Sequence, residues 1–197
     1  MARHRILDFF LFIQQRLFNA KEIPDDIVLK AFGDTLKDVN YHFPNLTEDD
    51  VLENITNNQN ELAIFLFRLG RAVHEEKRDD LKPQIHFLLK DLCSCELYFN
   101  NQIDEGFYIV HGEGTVVGSR NTIGKGFMIH QGCTVGHKIN GLGDGNHIGN
   151  NVKMYCNSSI LGQLSIGNNV TIGAHTLVNK DVKDDVTIVS TSRMQTL

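Results

Sequence analysis

A six-residue repeat runs through the sequence from Ile148 onward. The first positions of its hexads are Ile148, Met154, Ile160, Ile166, Ile172 and Val178. A period of six fits neither the 3.6-residue period of a helix nor the alternation of a hairpin, and it is typical of β-helices. We therefore predict one short extended segment per hexad, with the first residue facing inward and three hexads closing one triangular coil.

The repeat also predicts one protruding loop. The same frame extends backward through Ile103, Ile109, Ile123, Ile129 and Val135, with an eight-residue step across residues 115–122. A thirteen-residue step then separates Val135 from Ile148, and the frame resumes unchanged after it. The extra residues must leave the coil, so residues 137–147 are predicted to form an extruded loop. Loops on a rigid scaffold are a common place for functional residues.

The first half of the sequence is predicted to be helical. It holds all three prolines and few of the 17 glycines. An apolar stripe predicts a first helix over residues 2–20, Pro24 and Thr47 suit the starts of two more, and residues 60–77 and 80–94 supply two others. The expected organisation is a helical domain at 1–95, a β-helix domain at 96–190 and a tail at 191–197.

Composition excludes several classes of function. The net charge of −5 with no basic run argues against nucleic-acid binding and against a polybasic membrane anchor. Four cysteines are too few for a disulfide scaffold, and their spacing completes no zinc site, so we expect reduced thiols in a cytoplasm and no metal. We also expect no membrane span, because no apolar stretch is long enough.

Three segments carry a resemblance to a known family. They are VHGEGTVVGSRNTIGKGFMIHQGCTVGH at 110–137, then GDGNHIGNNVKM, then SSILGQLSIGNNVTIGAHTLV. Together they resemble serine acetyltransferases of the hexapeptide-repeat acyltransferase superfamily, over about residues 60–188. The resemblance implies an α+β chain, in which an N-terminal helical domain precedes a left-handed parallel β-helix with one extruded loop.

The resemblance also implies a catalytic pair. The general base of the family falls on His111, and the acidic residue fifteen positions earlier that orients it falls on Glu96. A neutral imidazole can take the proton of a hydroxyl as that hydroxyl attacks a thioester, and a carboxylate can hold the imidazole in the required tautomer. The structural alternatives are a corner residue for His111 and a helix-end carboxylate for Glu96.

Acetyl-CoA is the implied co-substrate, bound in a groove between neighbouring prisms. The positions carried over from the family are Gly136, His137, Cys156 and Ala174. Lys180 could meet the CoA phosphates, although a solvated lysine at the coil edge is an equal alternative. His130 and His137 are expected to be groove or packing residues and not metal ligands.

Two departures from the family concern the acceptor. The aspartate that contacts the ammonium of serine is replaced by Val110, and the Arg-His pair that binds its carboxylate is replaced by Gly145 and Asn146. Losing charged partners typically costs about 1.5–3 kcal/mol each. The residues predicted to line the acceptor pocket are Val110, Asn140, Asp144, Gly145, Asn146 and His147. We therefore predict a neutral acceptor such as a sugar of a polysaccharide, with His147 as a candidate replacement for the lost histidine.

Two alternative functions also fit the sequence, and the sequence predicts an oligomeric assembly. The first alternative is a serine O-acetyltransferase of cysteine biosynthesis, and the second is an inactive β-helix scaffold. Exposed prism faces predict a homotrimer with the active site between subunits, and the helical domain could pair two trimers.

Overall fold

The computed structural model describes residues 1–139 and 142–191, which form five α-helices followed by a coil of short strands. The helices are α1 (Ala2–Gln14), α2 (Asp25–His42), α3 (Glu48–Asn57), α4 (Gln59–Glu75) and α5 (Lys82–Cys93). The strands are β1 (Glu96–Leu97), β2 (Gln102–Ile103), β3 (Tyr108–Ile109), β4 (Val116–Val117), β5 (Thr122–Ile123), β6 (Met128–Ile129), β7 (Thr134–Gly136), β8 (His147–Ile148), β9 (Lys153–Met154), β10 (Ser159–Leu161), β11 (Ser165–Ile166), β12 (Thr171–Ile172), β13 (Leu177–Val178) and β14 (Thr187–Ile188).

The strands wind into a three-sided prism. Sheet A contains β1, β4, β7, β10 and β13; sheet B contains β2, β5, β8 and β11; sheet C contains β3, β6, β9, β12 and β14. Neighbouring strands within each sheet are parallel and stack in register, as in the pairing of Ile123 with Ile148. Because consecutive strands lie on consecutive faces, three hexads make one coil, as the repeat predicts.

The first residue of each hexad lies inside the prism. All six of these side chains, from Ile148 to Val178, are at most 4% exposed. At the corners, Asn151, Asn157 and Asn169 have positive φ angles near 55–58°, a conformation that asparagine tolerates better than most residues. Their side chains also join successive coils, since the Asn151 amide donates to Asn169 Oδ1 at 3.1 Å. The six-residue period is thus confirmed in both its inward and its corner positions.

The first helix is shorter than predicted. It ends at Gln14 and not near residue 20, because the chain turns back after it. The Gln14 side chain donates to the carbonyl of Lys21 at 3.2 Å, and Gln84 of α5 bonds the N–H and the carbonyl of the same residue. Leu17 still packs on the core, so the apolar stripe predicted burial correctly but not the end of the helix.

The helices and the first coils share one hydrophobic core. Phe67 of α4 meets Phe107 edge to face at 5.5 Å between centroids, and Phe107 stacks on Phe127 of the second coil at 6.0 Å. The last helix ends at Cys93 and the first strand begins at Glu96, although a domain boundary at residue 95 stays a prediction. Among the described helices, we find none that is both long enough and apolar enough to cross a bilayer.

A buried ion pair attaches the helices to the open edge of the first coil. Arg68 of α4 binds Asp38 of α2 through two hydrogen bonds of 2.6 and 2.7 Å. Arg68 also donates to the carbonyls of Ile103 and Asp104, while Asp38 accepts from the backbone N–H groups of residues 106 and 107. The pair therefore satisfies backbone groups that have no preceding coil to bond.

Replacing Asp38 should strongly destabilise the protein. Asp38→Ala leaves the buried Arg68 guanidinium without its carboxylate partner and two backbone N–H groups without an acceptor, and removing one member of a buried pair typically costs about 3–5 kcal/mol. Urea unfolding followed by circular dichroism measures this loss. Asp34→Ala is the matched control, because Asp34 forms an exposed pair with Lys37 on the same helix and should change stability by less than about 1 kcal/mol. Equal effects of the two variants would contradict this account.

Candidate active site

His111 lies on a corner of the prism that is longer than its counterparts. The eight-residue step lies between the inward side chains of Ile109 and Val117 and not across residues 115–122 as predicted, because Val117 is the inward residue of its strand. Only six residues separate Ile129 and Val135 at the same corner of the next coil. The two additional residues widen the turn between sheets C and A. His111 is exposed on this turn, so its imidazole is accessible from outside the prism.

Three aromatic rings on successive coils line this corner. The rings of His111 and His130 meet edge to face with centroids 6.2 Å apart, and His130 stacks on Tyr155 at 4.9 Å. The His130 backbone is bound on both sides, since its N–H donates to Met154 and its carbonyl accepts from the Thr115 hydroxyl at 2.8 Å. The stack gives the His111 imidazole a fixed aromatic neighbour.

Burial and charge together shift His130. Partial burial lowers the pKa of the His130 imidazole, and the nearby charge of His111 lowers it further. Both effects disfavour the imidazolium form. The neutral form of the His130 imidazole is therefore favoured more than in a free histidine, and in that form the ring can accept or donate a hydrogen bond beside His111.

The structure does not join Glu96 to His111 within the chain, which corrects the predicted pair. Leu97 points into the prism, so Glu96 points outward, toward α5. There its carboxylate accepts from His86 Nε2 at 3.2 Å and from Lys90 Nζ at 3.0 Å. Burial alone would raise the pKa of Glu96, but the hydrogen bond from Lys90 and the contact with His86 hold it below its usual value. Glu96 thus anchors α5 to the first coil.

The positions expected to bind acetyl-CoA fall at two corners of sheet A. Cys156 and Ala174 lie on the same corner as His111, on the third and fourth coils, and the Cys156 carbonyl accepts from the backbone N–H of residue 175. Gly136 and His137 lie at the opposite end of the sheet A strands, where the extruded loop begins. A single chain therefore does not bring the whole predicted set together.

A groove of about 590 Å³ runs between the extruded loop and sheet A. The apolar residues of its lining are Ile139, Leu142, Leu161, Leu164 and Leu177, and polar groups come from His137, Lys138, Gln163 and Asn179. Sequence analysis did not predict the leucines or Gln163 as site residues. Leu177 is an outward strand residue that is 57% exposed, a signal that could have been noticed in the hexad frame. Lys180 is exposed and follows Asn179 in the sequence, but it is not among the residues that line the groove.

His137 presents an unpaired ring nitrogen at the base of the loop. Its Nε2 lies 2.8 Å from the Ser119 carbonyl, which can only accept, so this nitrogen carries the proton. Nδ1 is then an acceptor, and it is buried without a hydrogen-bond partner in the described part of the chain. A buried acceptor without a partner is uncommon in folded proteins.

Several residues of the predicted acceptor pocket have structural roles instead. Asn146 is fully buried, and its amide donates to Asn121 Oδ1 at 2.9 Å and to the Gly136 carbonyl at 3.2 Å, while its Oδ1 accepts from Leu164. Gly145 is also buried, against the backbone of residue 120. The prediction that these two residues contact the acceptor is therefore wrong for this chain, because Asn146 is hydrogen-bonded within a corner ladder of Asn101, Asn121 and Asn146 and Gly145 is buried against backbone.

The remaining acceptor positions are spread over the surface. Asp144 is exposed in the loop and His147 is exposed on sheet B, so His147 lies on a different face from His111 within one chain. Val110 directly precedes His111, and its carbonyl accepts a hydrogen bond from α4. Asn140, which was also predicted, lies outside the described residues.

Two of the cysteine thiols are unreactive, and the described residues contain no group arranged to hold a metal ion. All four cysteines are free. Burial raises the pKa of the Cys93 thiol far above its usual value and the pKa of the Cys95 thiol to about 12. These two thiols are therefore poor nucleophiles. Across residues 1–139 and 142–191, we find no cluster of His, Cys, Asp and Glu arranged to hold a metal ion.

The contact between the two histidines can be tested by titration. His111→Ala removes one of the two causes that lower the pKa of His130, so the titration midpoint of His130 should rise and still stay below the usual histidine value, because burial remains. Imidazole NMR signals followed against pH measure it. His4→Ala, on the exposed side of α1, is the control and should leave the His130 midpoint unchanged. An unmoved midpoint in His111→Ala would place the two rings beyond interaction distance.

Sequence comparison finds serine acetyltransferases among the relatives of this chain. The serine acetyltransferase of Staphylococcus epidermidis is 30% identical over 163 residues, which make up 82% of this chain and 76% of that protein. The serine acetyltransferase of Synechococcus elongatus is 29% identical over 128 residues. These residues make up 64% of this chain and about half, 52%, of that relative. No protein-family profile matches the chain.

Solved structures share the fold. Serine acetyltransferase from Neisseria gonorrhoeae superposes with a TM-score of 0.70 at 24% identity, covering 85% of this chain and 66% of that one. The soybean serine acetyltransferase complexed with serine gives 0.71 at 23% identity, with 84% and 68% covered. The predicted fold, a helical domain followed by a left-handed parallel β-helix, is thus confirmed. Given the staphylococcal relative and this shared fold, the chain belongs to the serine acetyltransferase family of hexapeptide-repeat acyltransferases.

Proposed function

We propose that the protein transfers an acetyl group from acetyl-CoA to the hydroxyl of L-serine, with His111 as the general base. The observation that carries this proposal is the exposed imidazole of His111 on a lengthened corner, in a chain whose relatives are serine acetyltransferases. A base must reach its substrate while its backbone stays fixed. The turn that holds His111 is closed by bonds from Thr115 to Gly112 and from Gly114 to Ser94, at 3.0 and 2.9 Å.

The chemistry follows from a neutral imidazole next to a thioester. His111 accepts the proton of the serine hydroxyl as the hydroxyl oxygen attacks the thioester carbonyl, which forms a tetrahedral intermediate. The intermediate expels the CoA sulfur, and the imidazolium returns its proton to that sulfur. The products are O-acetylserine and CoA. Proton transfer by a positioned base typically contributes about 10²- to 10⁴-fold to such a rate.

The groove beside the extruded loop fits the pantetheine arm of acetyl-CoA. Its walls are apolar, as in Leu161 and Leu177, and the exposed side chains of Lys138 and Gln163 can bond the amide groups of that arm. Lys180 is exposed and available for a CoA phosphate. Because His111 and the groove occupy opposite corners of sheet A, we propose that they meet between subunits of a homotrimer.

The acceptor that we propose is L-serine. The relatives favour L-serine over the sugar that sequence analysis predicted. One observation favours a neutral acceptor as a second candidate: Val110 carries no charge, and Asn146 is buried in the corner ladder. Free thiols and the use of acetyl-CoA suit the cytoplasm, which we propose as the location.

Kinetics of a single variant test the proposed base. His111→Ala should lower kcat for acetyl transfer to L-serine by roughly 10²- to 10⁴-fold, because the imidazole no longer removes the hydroxyl proton. Thiol release from acetyl-CoA measures the rate, and His4→Gln serves as the control with unchanged activity. If thioester consumption is unaffected by His111→Ala, the catalytic role is wrong and a scaffold function is favoured.

The same assay separates the two acceptors. We expect L-serine at millimolar concentration to be acetylated faster than D-serine, homoserine or simple sugars. A rate with L-serine no higher than with water, together with a His111-dependent rate on a sugar acceptor, would overturn the assignment of serine and leave the base in place.

A further inference from the structure

One side chain of the helical domain forms hydrogen bonds with the peptide groups on both sides of His111. Asn60, in the first turn of α4, donates from Nδ2 to the Val110 carbonyl at 3.1 Å. Its Oδ1 accepts from the Gly112 N–H at 2.9 Å. These contacts cross 50 and 52 residues of sequence. The carboxamide thus pairs with the backbone on both sides of the candidate base.

The backbone on both sides of His111 is oriented toward the Asn60 carboxamide. The Val110 N–H bonds forward to Ile129 on the second coil, so its carbonyl faces the helices. A Cβ at Gly112 would lie 3.4 Å from Asn60 Oδ1, an ordinary van der Waals distance, so the carboxamide packs directly against this residue. Asn60 is itself held, because its N–H donates at 2.9 Å to Oδ1 of Asn58, the residue that caps α4.

A lengthened corner needs such a support. The second coil bonds this turn at Val110 and at Glu113, whose carbonyl accepts from the Gly132 N–H at 2.9 Å, whereas the Gly112 N–H between them pairs with Asn60. Fixing the two peptides beside His111 fixes the direction of its Cα–Cβ bond, and that direction sets where the imidazole can point. A displacement of about 1 Å at a reacting group can cost about 10²-fold in rate.

We propose that Asn60 is a positioning residue, which acts through His111 by holding the backbone of the lengthened corner. This inference rests on the proposed role of His111 as the base. Asn60 touches no reacting atom. It makes the helical domain part of the active site, because the support comes from α4 and not from the prism.

The test compares two neighbouring residues in the first turn of α4. Asn60→Ala should lower kcat roughly 10- to 100-fold and leave KM for acetyl-CoA within about twofold, since the groove lies at another corner. Gln59→Ala is the matched control. Gln59 is exposed and contacts neither Asn60 Oδ1 nor residue 110 or 112, so kcat should stay within about twofold. Urea unfolding of both variants measures how much stability each one loses.

A double-variant cycle separates positioning from a general structural effect. In the His111→Ala background, adding Asn60→Ala should leave the residual rate unchanged, because Asn60 acts through the imidazole. A further loss in that background would overturn the proposal. Asn60→Asp, which keeps an acceptor for the Gly112 N–H but loses the donor, provides a second variant if Asn60→Ala does not fold; its kcat should also fall, and an unchanged kcat would overturn the proposal.

The outcomes also distinguish the two proposals. If His111→Ala keeps full activity, the proposed base fails. If His111→Ala loses activity while folded Asn60→Ala keeps the kcat of the wild-type protein, the base stands and the positioning role of Asn60 is refuted.

Discussion

The structure depends on satisfying the open edge of the first coil. Each later coil finds hydrogen-bond partners in the coil before it, whereas the first coil has none and would expose unpaired backbone groups. In the described part of the chain, the helical domain supplies partners through five side chains. They are Asp38, His42, Asn60, Arg68 and Arg71, which contact backbone groups between residues 99 and 112. The helices are thus the cap of the prism as well as a separate layer.

The helical cap contacts the turn that holds His111 directly, through the Asn60 side chain of α4. The lengthened corner between Ile109 and Val117 lies on the first coil, which is the coil that the helices touch. Its additional residues free His111 from the hexad pattern, and Asn60 holds the turn that results. The length of one corner and the capping of one edge together account for an exposed imidazole on a rigid backbone.

Sequence periodicity predicted the prism well because its cause is local. Each hexad must turn inward an apolar residue such as Ile160, and each corner favours a residue that tolerates a positive φ, such as Asn157. The thirteen-residue step likewise predicted the extruded loop, since an insertion that preserves the frame must leave the coil. The left hand of the coil came from family resemblance and not from the spacing.

The site was predicted less completely because spacing along the chain does not give the direction of a side chain. Glu96 occupies the expected position, yet it faces α5, where His86 and Lys90 compete for its carboxylate. Asn146 is buried because three neighbouring groups saturate its amide. Asn60 carries no sequence signal, since its role depends on a contact across 50 residues between a helix and a corner.

A structure of the assembled protein with CoA bound tests the central claim most directly. The account predicts the CoA sulfur within about 4 Å of the His111 imidazole of one subunit, a distance near hydrogen-bonding reach. It also predicts the pantetheine arm along Leu161 and His137 beside the loop of a neighbouring subunit. A sulfur bound on another face, away from His111 of every subunit, would contradict it.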